Sequence, residues 1–535
     1  MRIGGTGANR TRGWRRLVAI VSVAVAVVVA VACGGGDATD APLHDADASA
    51  DVVSPDAQRD AAVADASREA DADDGVTVLV RGDVELLGIT LDGYVAYRLR
   101  DVAQTRDRLA VVPLSGGPPI VLSDDLGGGT WYTRVGGFSV AFWTGAGEDS
   151  LGTFNVWTKG AGIESAPGHP SLLNFFGASF GSDMFIFATS VSDGGLVDGS
   201  VTNVRYAATS SAKFDSTEVI DDVNVAATNG NCPITVLADY SNSLFVSHCT
   251  GAAPGAFVGR VVVTKRQADG TVDTSVLLSD TLAAEAVIPF FGMRGDRLGT
   301  KLFVVGAQPA GEGRVIDVAT RKATALDPNV SEGTISSDGG VVYYVSNGTF
   351  KRASTDGTQK VVLVDGGYDH TVAASDDQRR FVFATGPGGV TDLQLVDTLT
   401  PNQPPTTLLS DAGAIDAVFL ESGEEIVYLS VDPDTGKGQC HLILADGGAE
   451  RKIADDVRFC DVAAKTDVVL FGDNLRHLGP FVVMDLWMID RAKGGATPVL
   501  ISADVSNEKA FATFDNQIVY LRKGAEAGLY ARRLP

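Results

Sequence analysis

Gly177-Ala178-Ser179-Phe180-Gly181 has the G-x-S-x-G spacing that presents a nucleophilic serine when it sits on a sharp turn between a strand and a helix. Here Asp183 and a β-like run, Met184–Ser190, follow where that chemistry needs a helix, so the match reads as chance. Asp432-Pro433-Asp434-Thr435-Gly436 sets carboxylates at calcium-loop spacing. It lacks a side-chain oxygen at the fifth position and a bidentate glutamate at the twelfth, and reads better as a hairpin tip. The histidines of the body, His169, His248, His370, His441 and His477, are dispersed, and no H-E-x-x-H occurs. His370, beside Asp369, falls where repeat units join. These motifs yield no catalytic set, no metal site and no cofactor as an expectation.

The cysteines carry more. Cys232, Cys249, Cys440 and Cys460 form two sequence-local pairs, 17 and 20 residues apart. In an exported chain an even set reads as disulfides, and the local pairing Cys232–Cys249 and Cys440–Cys460 is preferred among the three connectivities. A zinc site is the alternative, because His248 and His441 each adjoin a cysteine. Neighbouring residues on a strand point to opposite faces, which works against their convergence.

The fifth cysteine, Cys33, lies at the seam between an apolar run and a polar tail. Residues 1–16 hold five arginines and no acid, and Leu17–Ala32 is an apolar run of 16 broken only by Ser22. A basic segment, a short apolar core and small residues make the layout of a secretory signal. With Ala30-Val31-Ala32-Cys33 at its end, the segment resembles the bacterial lipoprotein signal. Ala30 stands where that family usually has Leu, and Val31 where it has Ala or Ser. The resemblance implies cleavage before Cys33 and acylation of its thiol. Two or three acyl chains, at about 0.8 kcal/mol per buried methylene, hold a domain at a bilayer. An ordinary cleaved signal or an uncleaved anchor is the alternative. Arg15-Arg16-Leu17 is a weak twin-arginine signature. Gly34 at the next position, rather than aspartate, favours the outer membrane on the same resemblance.

Residues 33–74 read as a disordered Asp/Ala-rich linker. From Gly34 to Asp74 there are 11 Asp and one Glu against two Arg, a net charge of −10 within a chain total of −24. Such a segment buries too little apolar surface to fold and extends by self-repulsion, so it serves as a stalk. The acidity of the whole chain argues against nucleic acid as a partner.

Residues 75–535 are the folded domain, and they repeat. The clearest unit, Gly333 to Gly367, reads as four strands, Thr334–Ser336, Val341–Ser346, Thr349–Ser354 and Lys360–Val364. Its turns are Ser337-Asp338-Gly339-Gly340, Asn347-Gly348 and Asp356-Gly357. Looser copies recur about every 45 residues, some ten in all, without helical periodicity, and that period means β-propeller blades. Ser337-Asp338-Gly339 and Leu486-Trp487-Met488-Ile489-Asp490 resemble TolB-like, or WD-like, propeller repeats, acceptably over 330–535 and faintly over 85–330. The repeat count and this fold-level resemblance together lead to the expectation of an all-β fold of about 8–10 four-stranded antiparallel blades, as one large ring or two. The last unit stops after its third strand, and Val76–Asp83 looks like its missing fourth, which would close the array.

Trp131, Tyr132, Phe138, Phe142, Trp143, Phe154 and Trp157 crowd one unit; core packing between blades is the expectation for them. The chain is thus expected to be a lipid-anchored cell-envelope propeller that binds an envelope protein, peptidoglycan or a glycan. The rival expectation is a propeller enzyme of glycosidase, lyase or lactonase type, with acids converging in the central mouth.

Overall fold

The computed structural model describes residues 70–71 and 75–535, less a set of intervening segments of which 191–203 and 224–234 are the longest. Cys33, the signal segment 1–32 and almost all of the linker lie outside the described residues. The rest is a β-propeller. Eight separate four-stranded antiparallel sheets follow in chain order over 84–126, 133–166, 172–223, 235–281, 290–325, 330–364, 368–409 and 414–457. A ninth unit spans 459–506, and the tenth takes three strands from 511–533. Among the described residues the one element that is not a strand is the short 3-10 turn Gly524–Glu526.

Local chemistry makes each unit. In the sixth, strands Val341–Ser346 and Thr349–Ser354 fall on the expected residues. Asn347 and Gly348 join them with φ of 52° and 71°, the two left-handed residues of a type I′ hairpin. The first strand is Val330–Ile335, longer at its start than the sequence suggests. A Ser-x-Asp turn then leads to the second: Ser336 Oγ donates to Asp338 at 2.6 Å, and the Gly340 and Val341 amides donate to Asp338 and Ser336 at 2.9 Å. The seventh unit repeats it with Ser375 and Asp377, the first with Thr90 and Asp92.

Packing then explains why the middle strands are apolar at every position. Val342 and Tyr344 enter a core shared with Phe303 and Val305 of the fifth unit, while Tyr343 and Val345 enter one shared with Phe381 and Phe383 of the seventh. Both phases of the alternation are buried, each large side chain contributing about 1.5–3 kcal/mol. Similar cores join the first unit to the second and the seventh, eighth, ninth and tenth in succession. The tenth unit packs on the first: Val519, Leu521, Leu529 and Ala531 share a core with Val84, Leu86, Val95 and Tyr97. Among the described residues, shared cores therefore run without a break from the fourth unit through the tenth and on to the first and second. The tenth unit's outer strand is Val76–Arg81, antiparallel to Gly528–Arg533 with Val76 opposite Arg532 and Val78 opposite Tyr530. Ala70–Asp71 adds two residues outside it.

A disulfide, Cys440–Cys460, links strand Gly438–Leu444 of the eighth unit to strand Phe459–Val462 of the ninth. Cys249 lies on strand Ser243–Thr250, and Cys232 is outside the described residues.

Candidate functional site at the eighth unit and the inner wall

First strands of successive units lie against one another, as the inner strands of a propeller do. Asp416 on Ala414–Phe419 and Asp461 on Phe459–Val462 occupy neighbouring inner strands. Both side chains are exposed at the surface, with protein packed close around the carboxyl groups. Burial pushes both carboxyls above the usual carboxylate range, and the charge of Asp416 pushes Asp461 further. The Val462 amide, donating to Asp461 at 2.7 Å, opposes the shift. Glu332, on the inner strand of the sixth unit, accepts from the Thr371 amide at 3.0 Å and its hydroxyl at 3.1 Å, tying two units together.

A second constellation lies within the eighth unit. Tyr428 and Ser430 point to one face of strand Glu425–Val431, and His441 stands directly opposite Tyr428 on Gly438–Leu444. The Tyr428 and His441 rings stack, 4.7 Å between centroids and 11° between planes. Ser430 Oγ lies 3.1 Å from His441 Nε2, and His441 Nδ1 lies 2.6 Å from Glu450 Oε1. Tyr428 donates its hydroxyl to the same Glu450 oxygen at 2.6 Å. The Nδ1–H is not aimed squarely at the carboxylate, so that contact is electrostatic more than a directed hydrogen bond. Ser430 and His441 are 6% and 7% exposed, whereas the Glu450 side chain is 39% exposed.

Burial lowers the His441 pKa below its ordinary value, outweighing the pull of Glu450. Burial, then Glu450, holds the Tyr428 hydroxyl far above its usual range. At neutral pH His441 is therefore an uncharged imidazole. Glu450 beside Nδ1 assigns the proton to that nitrogen and leaves Nε2 to accept from Ser430. No motif marks this set, because the three residues are 11 and 9 apart and meet only through a hairpin register.

Of the residues singled out in the sequence, Ser179, His169, Asp432 and Asp434 lie outside the described residues. His248 and His370 lie on strands of different units, His370 on the inner strand Tyr368–Ala374, and His477 is exposed on the hairpin between Val468–Leu478 and Phe481–Asp490. Phe142 and Trp157 are core residues of the seam between the first and second units, and Phe138 is exposed. Among the described residues, no group of three His, Cys, Asp or Glu is placed to hold a metal ion. A small cleft of about 190 Å³ between the fifth and sixth units is lined by Lys301, Asp317, Lys322, Thr355 and Asp356; Lys301 Nζ donates to Thr355 Oγ1 at 2.6 Å across it.

One edge of the sheets carries the turns between first and second and between third and fourth strands. Leu91, Phe138, Leu298 and Leu399 all lie in such turns and are 45%, 44%, 79% and 63% exposed. The first two are neighbours, since the Leu91 amide donates to the Gly137 carbonyl at 2.7 Å.

No protein-family model matches the chain, and no curated protein matches it. Solved structures of similar fold include TolB from Acinetobacter baumannii, at 13% identity and a TM-score of 0.28, covering 56% of this chain and 77% of that one. A eukaryotic initiation factor aligns at 12% identity and a TM-score of 0.43, over 70% of this chain and 88% of that one. An oligogalacturonate lyase in complex with manganese aligns at 14% and 0.33, over 57% and 96%. The likeness is one of fold.

Proposed function

We propose that the chain is a binding scaffold of the bacterial cell envelope, held by acyl chains on Cys33, spaced by the acidic segment 34–74, and gripping an envelope protein through one face of the propeller. The observation that carries the binding role is the turn face. Leu91, Phe138, Leu298 and Leu399 are large apolar side chains held out to water by turns on the same edge of their sheets. Leu91 and Phe138 stand together there, and neighbouring exposed apolar side chains suit a partner contact. The Cys440–Cys460 disulfide is consistent with an exported chain.

The binding test is capture of partners from detergent-solubilised envelope by the wild-type propeller and by a Leu91→Glu/Phe138→Glu double variant. A partner retained by the first and lost by the second supports the reading; identical captures overturn the assigned face. For the anchor, mass spectrometry should find a mature chain beginning at an acylated Cys33. A chain beginning there without acyl groups removes the anchor.

A second reading is favoured by Asp416 and Asp461. Two carboxyls with raised pKa on adjacent inner strands suit acid–base work on a glycan in the central opening. Loss of glycan cleavage in Asp416→Asn and Asp461→Asn, with retained partner capture, would favour that reading.

A further inference from the structure

We propose that Ser430 is an activated serine, with His441 as its base and Glu450 as the residue that positions that base, and that it attacks slender carboxylic esters. The geometry has the three relations that such chemistry needs. The hydroxyl is 3.1 Å from Nε2, the other ring nitrogen is 2.6 Å from a carboxylate oxygen, and the ring plane is fixed by stacking on Tyr428. The imidazole is kept neutral by burial, which is the state that can take a proton. Charged neighbours of the ring are Glu450, Lys452 and Asp455, with Tyr428 as the further titratable group against it. The Nδ1–H is oblique to the carboxylate here, and catalytic hydrogen bonds often tighten only once substrate is bound.

Access fits a narrow acyl group. Ser430 is the penultimate residue of its strand and is 6% exposed, so a bulky acyl group is disfavoured there. The reaction balances with water alone. Ser430 Oγ bonds to the ester carbonyl carbon as its proton passes to Nε2. The C–O bond to the alcohol then breaks, and the leaving oxygen takes that proton. Water, deprotonated by the same nitrogen, releases the carboxylic acid and restores Ser430.

This proposal is independent of what the turn face grips. Its test is the intact protein treated with a fluorophosphonate, which forms a Ser–O–P bond and releases fluoride, followed by peptide mass mapping. One label per folded chain on Ser430 is expected, none on urea-unfolded chain, and none in Ser430→Ala. His441→Gln should slow labelling about 100-fold and Glu450→Gln about 10-fold. The wild-type rate should fall as pH drops below the ordinary imidazole range and the ring, whose pKa burial lowers, is protonated. A burst of one equivalent of nitrophenol from 4-nitrophenyl acetate should accompany it. A purely structural network gives neither label nor burst. Absence of label on Ser430 under conditions that saturate a reference serine hydrolase overturns the proposal, as does a rate unchanged in a folded His441→Gln. Should the variants fail to fold, the wild-type label and its site decide.

Discussion

At the level of single residues, burial sets the sign of each effect. Gly333 lies on an inner strand, and a Cβ there would meet Phe303 Cε1 and the Tyr343 carbonyl at 2.6 Å and Tyr344 Cβ at 2.9 Å. Backbone cannot move aside as a side-chain tip can, so Gly333→Ala should cost about 2 kcal/mol, read as a lower urea midpoint. Asp461 works the other way. Its folded pKa is raised, so ionising it opposes folding once pH exceeds the unfolded value near 3.8. Asp461→Asn should therefore raise the melting temperature at pH 7, with the gain gone near pH 3. His441 has a lowered folded pKa, so stability should fall as pH drops below 6.5, and a folded His441→Gln should lose that dependence. Thermal scans of these variants against pH check both signs. Which residues would be core was legible from β-branched and aromatic runs such as Val341–Ser346. Ser430, His441 and Glu450 were not, because their meeting depends on Tyr428 pairing with His441 rather than on any sequence spacing.

Single elements are held by two devices, and both were partly legible. In the sequence the Ser-x-Asp turns show as Asp-Gly turns and as a repeat resemblance. Their physical content is that Asp338 ties down the Ser336 hydroxyl and the Gly340 amide, which also keeps its carboxyl below the usual range. Asp338→Ala should cost about 1 kcal/mol through those hydrogen bonds, measured by chemical denaturation, and leave the other turns unaffected. The second device is the disulfide, whose pairing followed from sequence proximity. Proximity did not reveal that it crosses between units, joining the third strand of the eighth to the first strand of the ninth. Constraining a loop of this length stabilises by about 3 kcal/mol in the chain-entropy account, so Cys440→Ala/Cys460→Ala should lower stability by about that much. Because Asp461 adjoins Cys460 and His441 adjoins Cys440, amide exchange should quicken first along 438–444 and 459–462 if the disulfide fixes both walls.

For the whole molecule, the question is how a long array of like units ends. The count of about ten was legible from the period of the repeats. Whether they formed one group or two was not, since a repeat records its neighbours in sequence and not its neighbours in space. The strand Val76–Arg81 bears on this, because it brings the start of the domain to the end of the chain. Leu79 and Val80 are 1% and 7% exposed in the core that the tenth unit shares with the first. Removing 70–81 strips both from that core and bares the backbone edge of Gly528–Arg533. Lost burial alone is about 3–6 kcal/mol, and the freed edge is a template for pairing with a second chain. The truncated protein should melt at a lower temperature and elute as a concentration-dependent oligomer in light-scattering chromatography. A gentler version keeps the strand. A Cβ on Gly528 would run into the Val80 carbonyl, so Gly528→Val should push the strand away and give a smaller loss of the same kind. A truncated chain that stays monomeric and melts with the intact one would mean that the first and tenth units hold together through side chains such as Val95 and Val519 without need of the strand between them.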